Sequence, residues 1–495
     1  MPSEQHPLLQ NLVKTILLQG LVITSATATA TSLSFTIPSS VPSNSSGILD
    51  PAPVGVSFEF FAFPEYFQDL PATQVCLSNL KDAMGGASPP IRIGGTTQDR
   101  ATYNSSLSTP VSYSVASPSD APMSLTFGPS YMDLAGSYDG SVTIGLNRRL
   151  NNISNTIEAA KVAVSKIPNL YAIELGNEPN FFTSSDPIAN GSAWTPAADA
   201  ASQVFWQQSV GTGLNRTSII QAGVFFGSGD WSIAELAPQE GSSEVHVKSF
   251  CDHYYPQSAS TANLPQLMNH SAIIEGVAGF ADDVSVAIDR KIPFVFGETN
   301  SATGGGGGIS PTYGAALWIL DYVMQAVLLG VKQLFFHQGT IGNCQYCWWG
   351  RYDMGAPYYG AYMAALTLSG ASQLAQLDTG DTPYAVYAVY NQDGAPIRAL
   401  LYNSEYYTNT TGTRDAVSIT LAGIPSTTTV SARRLTGNAA TARVDQGGNI
   451  TIAGLTFANG SCVIQGGEVV EKYTADGGVA TFNVAASEAL LVEFE

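Results

Sequence analysis

Basic residues are scarce in this chain of 495 residues, which has 20 Lys and Arg against 39 Asp and Glu and a formal net charge of −19. Nucleic acids and other long polyanions bind through a positive electrostatic field. We therefore expect neither of them among the partners of this chain. Such an acidic balance is typical of an extracellular enzyme working in mildly acidic surroundings.

Cysteine is also rare. Five residues cannot all pair with one another, so the chain does not have the disulfide framework of a small secreted domain, and we expect at least one buried free thiol. Cys344 and Cys347 have the spacing of half a redox or zinc site, but no second such pair accompanies them. A local disulfide or two free thiols is the expectation there. The cysteines are Cys76, Cys251, Cys344, Cys347 and Cys462.

Several catalytic motifs are missing. The five histidines show no H-E-x-x-H or other metal spacing, and no G-x-S-x-G nucleophile elbow occurs. The glycine run at 304–308 lacks the Gly-Lys-Ser/Thr ending of a phosphate loop. These absences argue against zinc hydrolases, serine hydrolases and nucleotide-binding proteins, and we expect no metal or cofactor.

Long apolar runs are confined to the start of the chain. Residues 15–24 are mostly apolar and precede a run of small residues with an Ala28-x-Ala30 cleavage pattern, so residues 1–30 are predicted to be a signal peptide. The apolar run is about half of the roughly 20 residues that a membrane span needs. We expect a secreted protein with no membrane segment. N-x-S/T sequons support that expectation and begin at Asn44, Asn104, Asn152, Asn190, Asn215, Asn269, Asn409, Asn449 and Asn459.

Apolar or β-branched runs recur from about residue 53 to 340, and helix-like segments lie between them. This alternation is typical of a parallel βα array, and eight runs favour a (β/α)8 TIM barrel within the α/β class, with its active site at the carboxyl ends of the strands. The barrel is expected to span residues 51–370. The strand candidates are 54–60, 91–93, 123–127, 171–175, 218–224, 245–250, 293–296 and 333–336.

After about residue 370 the pattern changes to alternating strands separated by turn residues. This part, residues 371–495, is predicted to be an antiparallel β-sandwich. The early segment 31–50 contains a further strand candidate that could complete the sandwich.

Two acidic residues follow barrel strands at matching places. Glu178 lies in Gly176-Asn-Glu-Pro179 after the fourth strand candidate, and Glu298 follows the seventh. Retaining glycosidases use one carboxylic acid to protonate the leaving oxygen and a second carboxylate, about 5 Å away, to attack the anomeric carbon. Each residue alone could be an exposed loop acid or a helix cap, but their joint position favours Glu178 as acid/base and Glu298 as nucleophile. Asn177, beside the acid, could donate to the sugar 2-hydroxyl.

These stretches resemble glycoside hydrolases of clan A and, more closely, of family 79. The matching segments are Gly176-Asn-Glu-Pro-Asn180, Asp252-His-Tyr-Tyr255, Phe296-Gly-Glu-Thr-Asn300 with the glycines at 304–306, and residues 335–353. The resemblance implies that glucuronate is held by the amides of Gly304 and Gly305 and by the hydroxyl of Tyr346. Glycine suits this role because a backbone N–H can approach a carboxylate closely when no Cβ intervenes.

The resemblance also implies that Tyr254 donates a hydrogen bond to the nucleophile, although a core aromatic residue is an equal alternative. Glu59, at the end of the first strand, could accept hydrogen bonds from sugar hydroxyls. Arg92 is expected to be a buried partner of an acid near the site. Thr303 departs from the family pattern, which has tyrosine there, so the rim of the sugar pocket is expected to differ.

The predicted function is a retaining exo-β-glucuronidase acting on terminal glucuronate, with or without a 4-O-methyl group, in glycans or glucuronides. A heparanase-like endohydrolase of glycosaminoglycans is the alternative enzyme, but it would need a basic cleft. A carbohydrate-binding wall protein without catalysis is the alternative from another class. The oligomeric state and the aglycone do not follow from the sequence.

Overall fold

The computed structural model describes residues 31–350, 354–410, 413–425 and 429–494. The predicted signal peptide, residues 1–30, lies outside the described residues, as does Tyr352 within the matching segment 335–353. Within the described ranges, no helix is both long and apolar enough to span a bilayer.

Strands dominate the chain. They are β1 (Ser32–Thr36), β2 (Val54–Glu59), β3 (Ile91–Gly94), β4 (Ala101–Tyr103), β5 (Val111–Tyr113), β6 (Leu125–Phe127), β7 (Val142–Leu146), β8 (Leu170–Leu175), β9 (Ile220–Phe226), β10 (Val247–Tyr254), β11 (Gln257–Ser258), β12 (Phe294–Thr299), β13 (Ala302–Thr303), β14 (Gln333–Gln338), β15 (Gln373–Gln376), β16 (Tyr384–Tyr390), β17 (Pro396–Asn403), β18 (Ala416–Ala422), β19 (Thr429–Gly437), β20 (Ile450–Ile452), β21 (Thr456–Phe457), β22 (Ile464–Gln465), β23 (Glu471–Thr474), β24 (Ala480–Ala485) and β25 (Glu488–Glu493).

Helices lie mainly in the first three quarters of the chain. They are α1 (Phe63–Gln68), α2 (Pro71–Ala83), α3 (Pro129–Gly136), α4 (Ile153–Lys166), α5 (Pro196–Leu214), α6 (Ile233–Leu236), α7 (Leu264–Met268), α8 (His270–Ala278), α9 (Ala281–Arg290), α10 (Tyr313–Leu329) and α11 (Pro357–Leu368).

Eight parallel strands close into a barrel, in the chain order β2, β3, β7, β8, β9, β10, β12 and β14, and β14 pairs with β2 to complete the ring. Most of these strands are buried along their whole length, as expected when helices cover the outside and side chains fill the inside. An apolar layer of Val224, Cys251, Val295 and Phe335 fills part of the interior. The predicted α/β class and TIM barrel are confirmed.

The third predicted barrel strand, 123–127, is wrong. Residues Leu125–Phe127 form β6, which pairs with β4 and β5 in a small three-stranded sheet between barrel strands β3 and β7. The true third strand is β7, and all five of its residues are buried. Its sequence Val-Thr-Ile-Gly-Leu contains a glycine, which weakens its strand signal relative to Leu-Thr-Phe.

The C-terminal region is a β-sandwich, as predicted. One sheet has the order β15-β16-β17-β25-β19-β20, and the other has the order β1-β18-β24. Strand β1 pairs in parallel with β18, so the segment before the barrel joins the second sheet. Apolar side chains from both sheets, including Ile419, Phe482 and Leu490, form one core between them.

The barrel and the sandwich pack against each other along α10 and α11. Tyr313, at the start of α10, donates to the carbonyls of Leu435 and Ser487 in the sandwich. His270, on α8, joins Asp321 of α10 to Asp378, which follows β15, with Nδ1 2.7 Å and Nε2 3.2 Å from the two carboxylates. The interface therefore contains a buried charged network as well as apolar packing.

Two disulfides are present. Cys76 of α2 is bonded to Cys462 in the C-terminal region, which ties the barrel to the sandwich. Cys344 and Cys347 form a local disulfide, one of the two expected outcomes. Cys251 is the buried free thiol that the odd number required.

Candidate active site

Glu178 is held at the carboxyl end of the fourth barrel strand by an unusual backbone. Gly176 and Glu178 both have positive φ, at 82° and 47°, so the chain turns sharply as β8 ends. The amide of Glu178 donates to the carbonyl of Val224 on β9 at 3.0 Å, and Val224 itself has a φ of 63°. Left-handed backbone is costly for a β-branched residue and often marks a functional site. Unfavourable backbone conformations at the end of β8 and in β9 therefore direct Glu178 over the barrel.

Glu298 is aimed inward by a β-bulge. The pairing of β12 shifts register on both sides at this point, so that β12 has one residue more than each neighbour. A Cβ on Gly297 would lie 2.4 Å from the sulfur of Cys251. Glycine is therefore required beneath Glu298, and the bulge brings the carboxylate to the mouth of the barrel.

The two predicted catalytic acids meet. One carboxylate oxygen of Glu178, one of Glu298 and a ring nitrogen of His253 all lie within 4.8 Å of one another. This separation suits direct attack by one carboxylate, whereas inverting enzymes keep their carboxyl groups roughly 6.5–9.5 Å apart to admit a water molecule.

Arg92 is the charged centre beneath the site. Its guanidinium contacts Glu174 in a bidentate ion pair at 2.5 and 3.0 Å and donates to Glu298 at 2.6 Å. It also donates to Asn177 Oδ1 at 2.8 Å and to Ser57. Burial opposes its charge, but Glu174 and Glu298 together raise the pKa of Arg92. The expectation that Arg92 pairs with an acid near the site is confirmed.

The two acids are in opposite protonation regimes. Burial, followed by repulsion from Glu298, raises the pKa of Glu178 well above its usual value. Burial acts in the same direction on Glu298, but the positive field of His337 and Arg92, with a hydrogen bond from Tyr255, lowers its pKa. Environments that push two carboxyl pKa values apart produce one proton donor and one anion.

Tyr255, and not Tyr254, donates to the nucleophile candidate. Its hydroxyl lies 2.8 Å from Glu298 Oε1. Side chains alternate across a strand, so Cys251, His253 and Tyr255 face the interior while Tyr254 faces outward. Tyr254 packs there against Phe280, with ring centroids 5.1 Å apart. The prediction for Tyr254 is wrong: Tyr254 is a partly buried aromatic residue packed against the core, which is close to the alternative.

Glu59 and Asn177 lie at the same edge of the barrel. Glu59 Oε1 accepts hydrogen bonds from the backbone amide of Thr97 at 3.0 Å and from its hydroxyl at 2.5 Å. Asn177 donates its backbone amide to Asp99 at 2.7 Å, and its side-chain oxygen accepts from Arg92. Both side chains are thus held by neighbours before any substrate arrives.

His337, on β14, was not singled out by the sequence. Its Nε2 lies 3.5 Å from Glu59 Oε2 and its Nδ1 lies 3.6 Å from Glu298 Oε2. Burial works against the charged imidazole, but Glu298 and Glu59 raise the pKa of His337. A protonated His337 would add to the positive field that keeps Glu298 ionised.

The glycine run forms a structured loop. Gly304 to Gly308 all have positive φ, and Gly305 accepts a backbone hydrogen bond from Gln345 at 3.0 Å. Tyr346 comes directly after Gln345, and its ring lies 6.3 Å from that of Tyr255 and 6.2 Å from that of His337. Burial, followed by Glu298, raises the pKa of Tyr346, so its hydroxyl is a neutral donor. Tyr346 therefore lies beside the two acids, and the loop of Gly304 and Gly305 is joined to the residue before it by a backbone hydrogen bond.

Sequence reasoning missed His253, His337, Glu174 and Tyr255. Each lies on a barrel strand or immediately after one, and each belongs to the inward-facing set of its strand. Period-two counting from Cys251 would have selected His253 and Tyr255. No comparable signal marks Glu174, because a single acid within an apolar strand has no obvious partner in sequence.

Two clusters among the described residues have the geometry to hold a metal ion, namely Glu174 with Cys251 and His253, and Glu178 with His253 and Glu298. In both, a carboxylate already accepts from Arg92 at 2.6 Å or less. A cation at either place would compete with that guanidinium for the same oxygens.

Aromatic residues are concentrated after β14, and aromatic side chains can stack on sugar rings, but these belong to the core. Trp348, Trp349, Tyr358 and Tyr359 are all at most 2% exposed, and they pack on one another and on Phe457. They therefore support the barrel rather than contact a ligand.

Comparison with known proteins places this site in context. Residues 386–491 match the model of the glycosyl hydrolase family 79 C-terminal beta domain. A 4-O-α-L-rhamnosyl-β-D-glucuronidase from Fusarium oxysporum 12S, solved as a complex with Rha-GlcA, is 60% identical, covers 93% of this chain and 100% of its own, and superposes with a TM-score of 0.91. The chain belongs to glycoside hydrolase family 79.

More distant relatives of this family 79 chain agree. A β-glucuronidase from Aspergillus niger is 28% identical over 466 residues, covering 82% of this chain and 81% of its own. A β-glucuronidase from Neurospora crassa is 29% identical over 416 residues and covers 74% of each chain. The predicted family and enzyme class are confirmed, and these relatives support the predicted β-glucuronidase activity.

Proposed function

We propose that this family 79 enzyme hydrolyses β-D-glucuronides with retention of configuration, with Glu178 as acid/base and Glu298 as nucleophile. The observation that carries the proposal is the approach of the two carboxylates to within 4.8 Å, with their pKa values shifted in opposite directions. A raised pKa keeps a proton on the acid, and a lowered pKa keeps the nucleophile charged.

In the first step, a carboxylate oxygen of Glu298 attacks the anomeric carbon while Glu178 transfers its proton to the departing glycosidic oxygen. A covalent glycosyl ester on Glu298 forms and the aglycone leaves as an alcohol. In the second step, the Glu178 carboxylate removes a proton from water, the hydroxide oxygen attacks the anomeric carbon, and the ester bond to Glu298 breaks. Both acids return to their starting states.

The Asn177 side chain and Glu59 are suited to bind hydroxyl groups of the sugar. Arg92 donates to Asn177 Oδ1, so the amide nitrogen of Asn177 is the end that can donate to a 2-hydroxyl. One oxygen of Glu59 accepts two hydrogen bonds from Thr97, and its other oxygen can accept from substrate. These groups would fix the ring above Glu298.

Tyr346, Gly304 and Gly305 are proposed to bind the glucuronate carboxylate. The Tyr346 ring lies 6.3 Å from that of Tyr255, and the residue before Tyr346 donates its backbone amide to Gly305, which supports a site made of neutral donors. Backbone amides and a phenolic hydroxyl can satisfy a carboxylate without adding a charge that would disturb Glu178.

The 60% identity to the Fusarium enzyme bears on the substrate. We propose that this chain also accepts glucuronate carrying α-L-rhamnose at O4, in addition to or in place of the unsubstituted or 4-O-methyl sugar. The aglycone would then belong to a rhamnosyl-glucuronate-capped glycan, and the enzyme would release the disaccharide.

The test compares initial rates on three aryl glycosides with one leaving group: β-glucuronide, 4-O-α-L-rhamnosyl-β-glucuronide and β-glucoside. The proposal predicts hydrolysis of at least one glucuronide and a strong preference for it over the glucoside. Equal rates on glucuronide and glucoside would contradict carboxylate recognition. No turnover of the rhamnosylated compound beside hydrolysis of the plain glucuronide would reject acceptance of the rhamnosylated sugar while leaving the glucuronidase intact.

We further propose that the enzyme is secreted and N-glycosylated, as its sequons suggest. Expression in a fungal host should yield medium-located protein whose mass falls on treatment with an endoglycosidase. Retention of the full-length chain inside the cells would contradict secretion.

A further inference from the structure

His253 touches the acid/base, yet the two-step reaction described above assigns it no part. It lies on β10 with its side chain fully buried and its Nδ1 3.0 Å from Glu178 Oε1. Glu178, by contrast, keeps a small exposed fraction toward the mouth of the barrel. The histidine therefore approaches the acid from below, on the side away from solvent.

The other ring nitrogen of His253 defines the tautomer. Its Nε2 is buried and has no hydrogen-bond partner among the described residues. An orphaned N–H donor in a protein interior is rarer and more costly than an orphaned lone pair. The hydrogen of a neutral ring therefore belongs on Nδ1, from which it is donated to Glu178 Oε1.

The surroundings of His253 keep its ring neutral at mildly acidic pH and above. Burial, followed by the nearby charge of Arg92, lowers the pKa of His253 to about 4. A neutral ring matters because an imidazolium at 3.0 Å would hold Glu178 ionised and remove the catalytic proton. The titratable and charged groups that face this pair are Arg92 of β3, Glu174 of β8, Cys251 of β10, Tyr255, Glu298 of β12, His337 of β14, Glu59 of β2 and Tyr346.

We propose that His253 is a positioning residue that binds Oε1 of Glu178 through its Nδ1–H and so leaves Oε2 as the one atom that gives and takes the proton. This inference rests on the proposed role of Glu178. A single fixed oxygen would serve both steps, because the same Oε2 faces the leaving oxygen first and the incoming water later.

The hydrogen bond also changes in strength during the reaction. It is made to a neutral carboxyl group at the start and to a carboxylate once the proton has left, and hydrogen bonds to charged acceptors are roughly twice as strong. His253 therefore lowers the barrier to proton donation when the leaving group is poor. It has little effect when the leaving group is so good that it needs no proton.

The experiment uses two variants of the full chain. His253→Leu keeps the volume but removes the donor, and His253→Asn keeps an N–H close to the position of Nδ1. His246→Leu is the matched control, since His246 is a buried histidine one residue before β10 at the opposite end of the barrel, where its Nδ1 contacts the carbonyl of Arg216. For each, kcat, KM and the pH dependence of kcat/KM are measured on an alkyl glucuronide and on 2,4-dinitrophenyl glucuronide.

We expect His253→Leu to lower kcat about 10- to 100-fold on the alkyl glucuronide, with KM nearly unchanged, because one hydrogen bond to a developing charge is lost. On the dinitrophenyl compound the loss in kcat/KM, which reports the first step alone, should be under about threefold. Removing a donor that favours the carboxylate raises the pKa of Glu178, so the alkaline limb should move to higher pH. His253→Asn should restore most of the lost rate and return the alkaline limb toward its wild-type pH. His246→Leu should change neither the rate nor the limb.

Three results would overturn the inference. An unmoved alkaline limb in His253→Leu would mean that His253 only fills space. A limb moved to lower pH would mean that His253 accepts the Glu178 proton instead of donating. If the leucine variant does not fold, nitrogen-15 NMR of histidine-labelled wild-type protein decides, because a resonance pattern with hydrogen on Nε2 of His253 contradicts the assigned tautomer.

Failure of the proposed function gives a different pattern. In that case wild-type enzyme would lack glucuronidase activity, or Glu178→Gln would keep its full rate on the alkyl glucuronide. Neither outcome resembles an active wild type with a Glu178-dependent rate and an unmoved limb in the histidine variant.

Discussion

The chain contains two buried networks of histidine and carboxylates, and they reach opposite charge states. In the barrel mouth, His253 lies against Glu178, and the pKa of His253 is lowered to about 4. Between the barrel and the sandwich, His270 lies between Asp321 and Asp378, and its pKa is raised to about 10. Both rings are fully buried, so burial alone does not decide the outcome.

The difference comes from what else each histidine faces. Burial lowers the pKa of both, but His270 is then acted on by two carboxylates, whereas His253 first meets the positive charge of Arg92. The interdomain network, which we call the clamp, consists of Asp321, Asp378 and a charged His270 that pairs with both acids. The catalytic network keeps His253 neutral and places its positive charge on Arg92 and His337, nearer Glu298, which leaves the proton on Glu178 available for chemistry. The following variants, in order of decreasing effect, test this contrast.

Glu298→Gln removes the proposed nucleophile from the catalytic network. We expect kcat on an aryl glucuronide to fall at least about 10⁴-fold, as when one group of a cooperating catalytic set is deleted. Thermal unfolding should change little, because glutamine can still accept from Arg92 and Tyr255. Unchanged turnover would reject the nucleophile assignment, and collapse of the fold would make Glu298 chiefly structural.

Arg92→Leu removes the buried arginine that the catalytic network has and the interdomain network lacks. Glu174 and Glu298 would then be buried without their partner, which costs about 3–5 kcal/mol of unfolding free energy. Loss of this positive charge raises the pKa of Glu298, which must be ionised to attack, so residual activity should require a higher pH than in the wild type. Denaturant unfolding measures the loss. A variant as stable as the wild type would show that the network does not depend on this ion pair.

His270→Asn should break the clamp without reaching the active site. A histidine whose folded pKa exceeds its unfolded value contributes stability that is complete below about pH 6.5 and is lost as pH rises toward about 10. We expect a loss of about 2–3 kcal/mol at pH 5 that shrinks across this window. Unfolding free energies at several pH values test it, with kcat/KM unchanged at low temperature. A loss that is the same at pH 5 and pH 10 would contradict a charged His270.

Two tyrosines, one in each network, give the smallest expected effects. Tyr255 donates to Glu298 in the catalytic network, and Tyr387 donates to Asp321 in the clamp. Tyr255→Phe should lower kcat about 10-fold with little loss of stability, whereas Tyr387→Phe should cost about 1–1.5 kcal/mol of stability with no change in kcat. Tyr254→Phe is the control beside the first and should leave kcat unchanged. An equal kinetic effect of the Tyr254 and Tyr255 variants would refute the assigned orientation of β10.

Much of the fold follows from the sequence. Seven of the eight barrel strands lie where apolar runs predicted them, because strands buried on both faces leave a continuous apolar signal. The exception is β7, whose Gly145 interrupts that signal. Gly145 is needed because a Cβ there would lie 1.9 Å from the Gln98 side chain, a packing demand that a single sequence does not reveal.

The candidate site was predictable only where chemistry and motif coincide. Glu178 and Glu298 stand in recognisable strand-end motifs, and the structure brings them together. Tyr255 was confused with Tyr254 because adjacent tyrosines carry the same signal until the parity of the strand is known. Counting from Cys251 in steps of two would have selected His253, whereas His337 was missed because its role depends on contacts with Glu59 and Glu298 on strands distant in sequence.

The most direct test of the account is covalent trapping. Enzyme incubated with an activated 2-deoxy-2-fluoro-β-D-glucuronide, digested and examined by mass spectrometry, should carry the fluorosugar on the peptide containing Glu298, and Glu178→Gln should still form the adduct with a dinitrophenyl leaving group. A label on any other residue, or rapid turnover to the α-anomer without an adduct, would contradict the assigned nucleophile and the retaining mechanism.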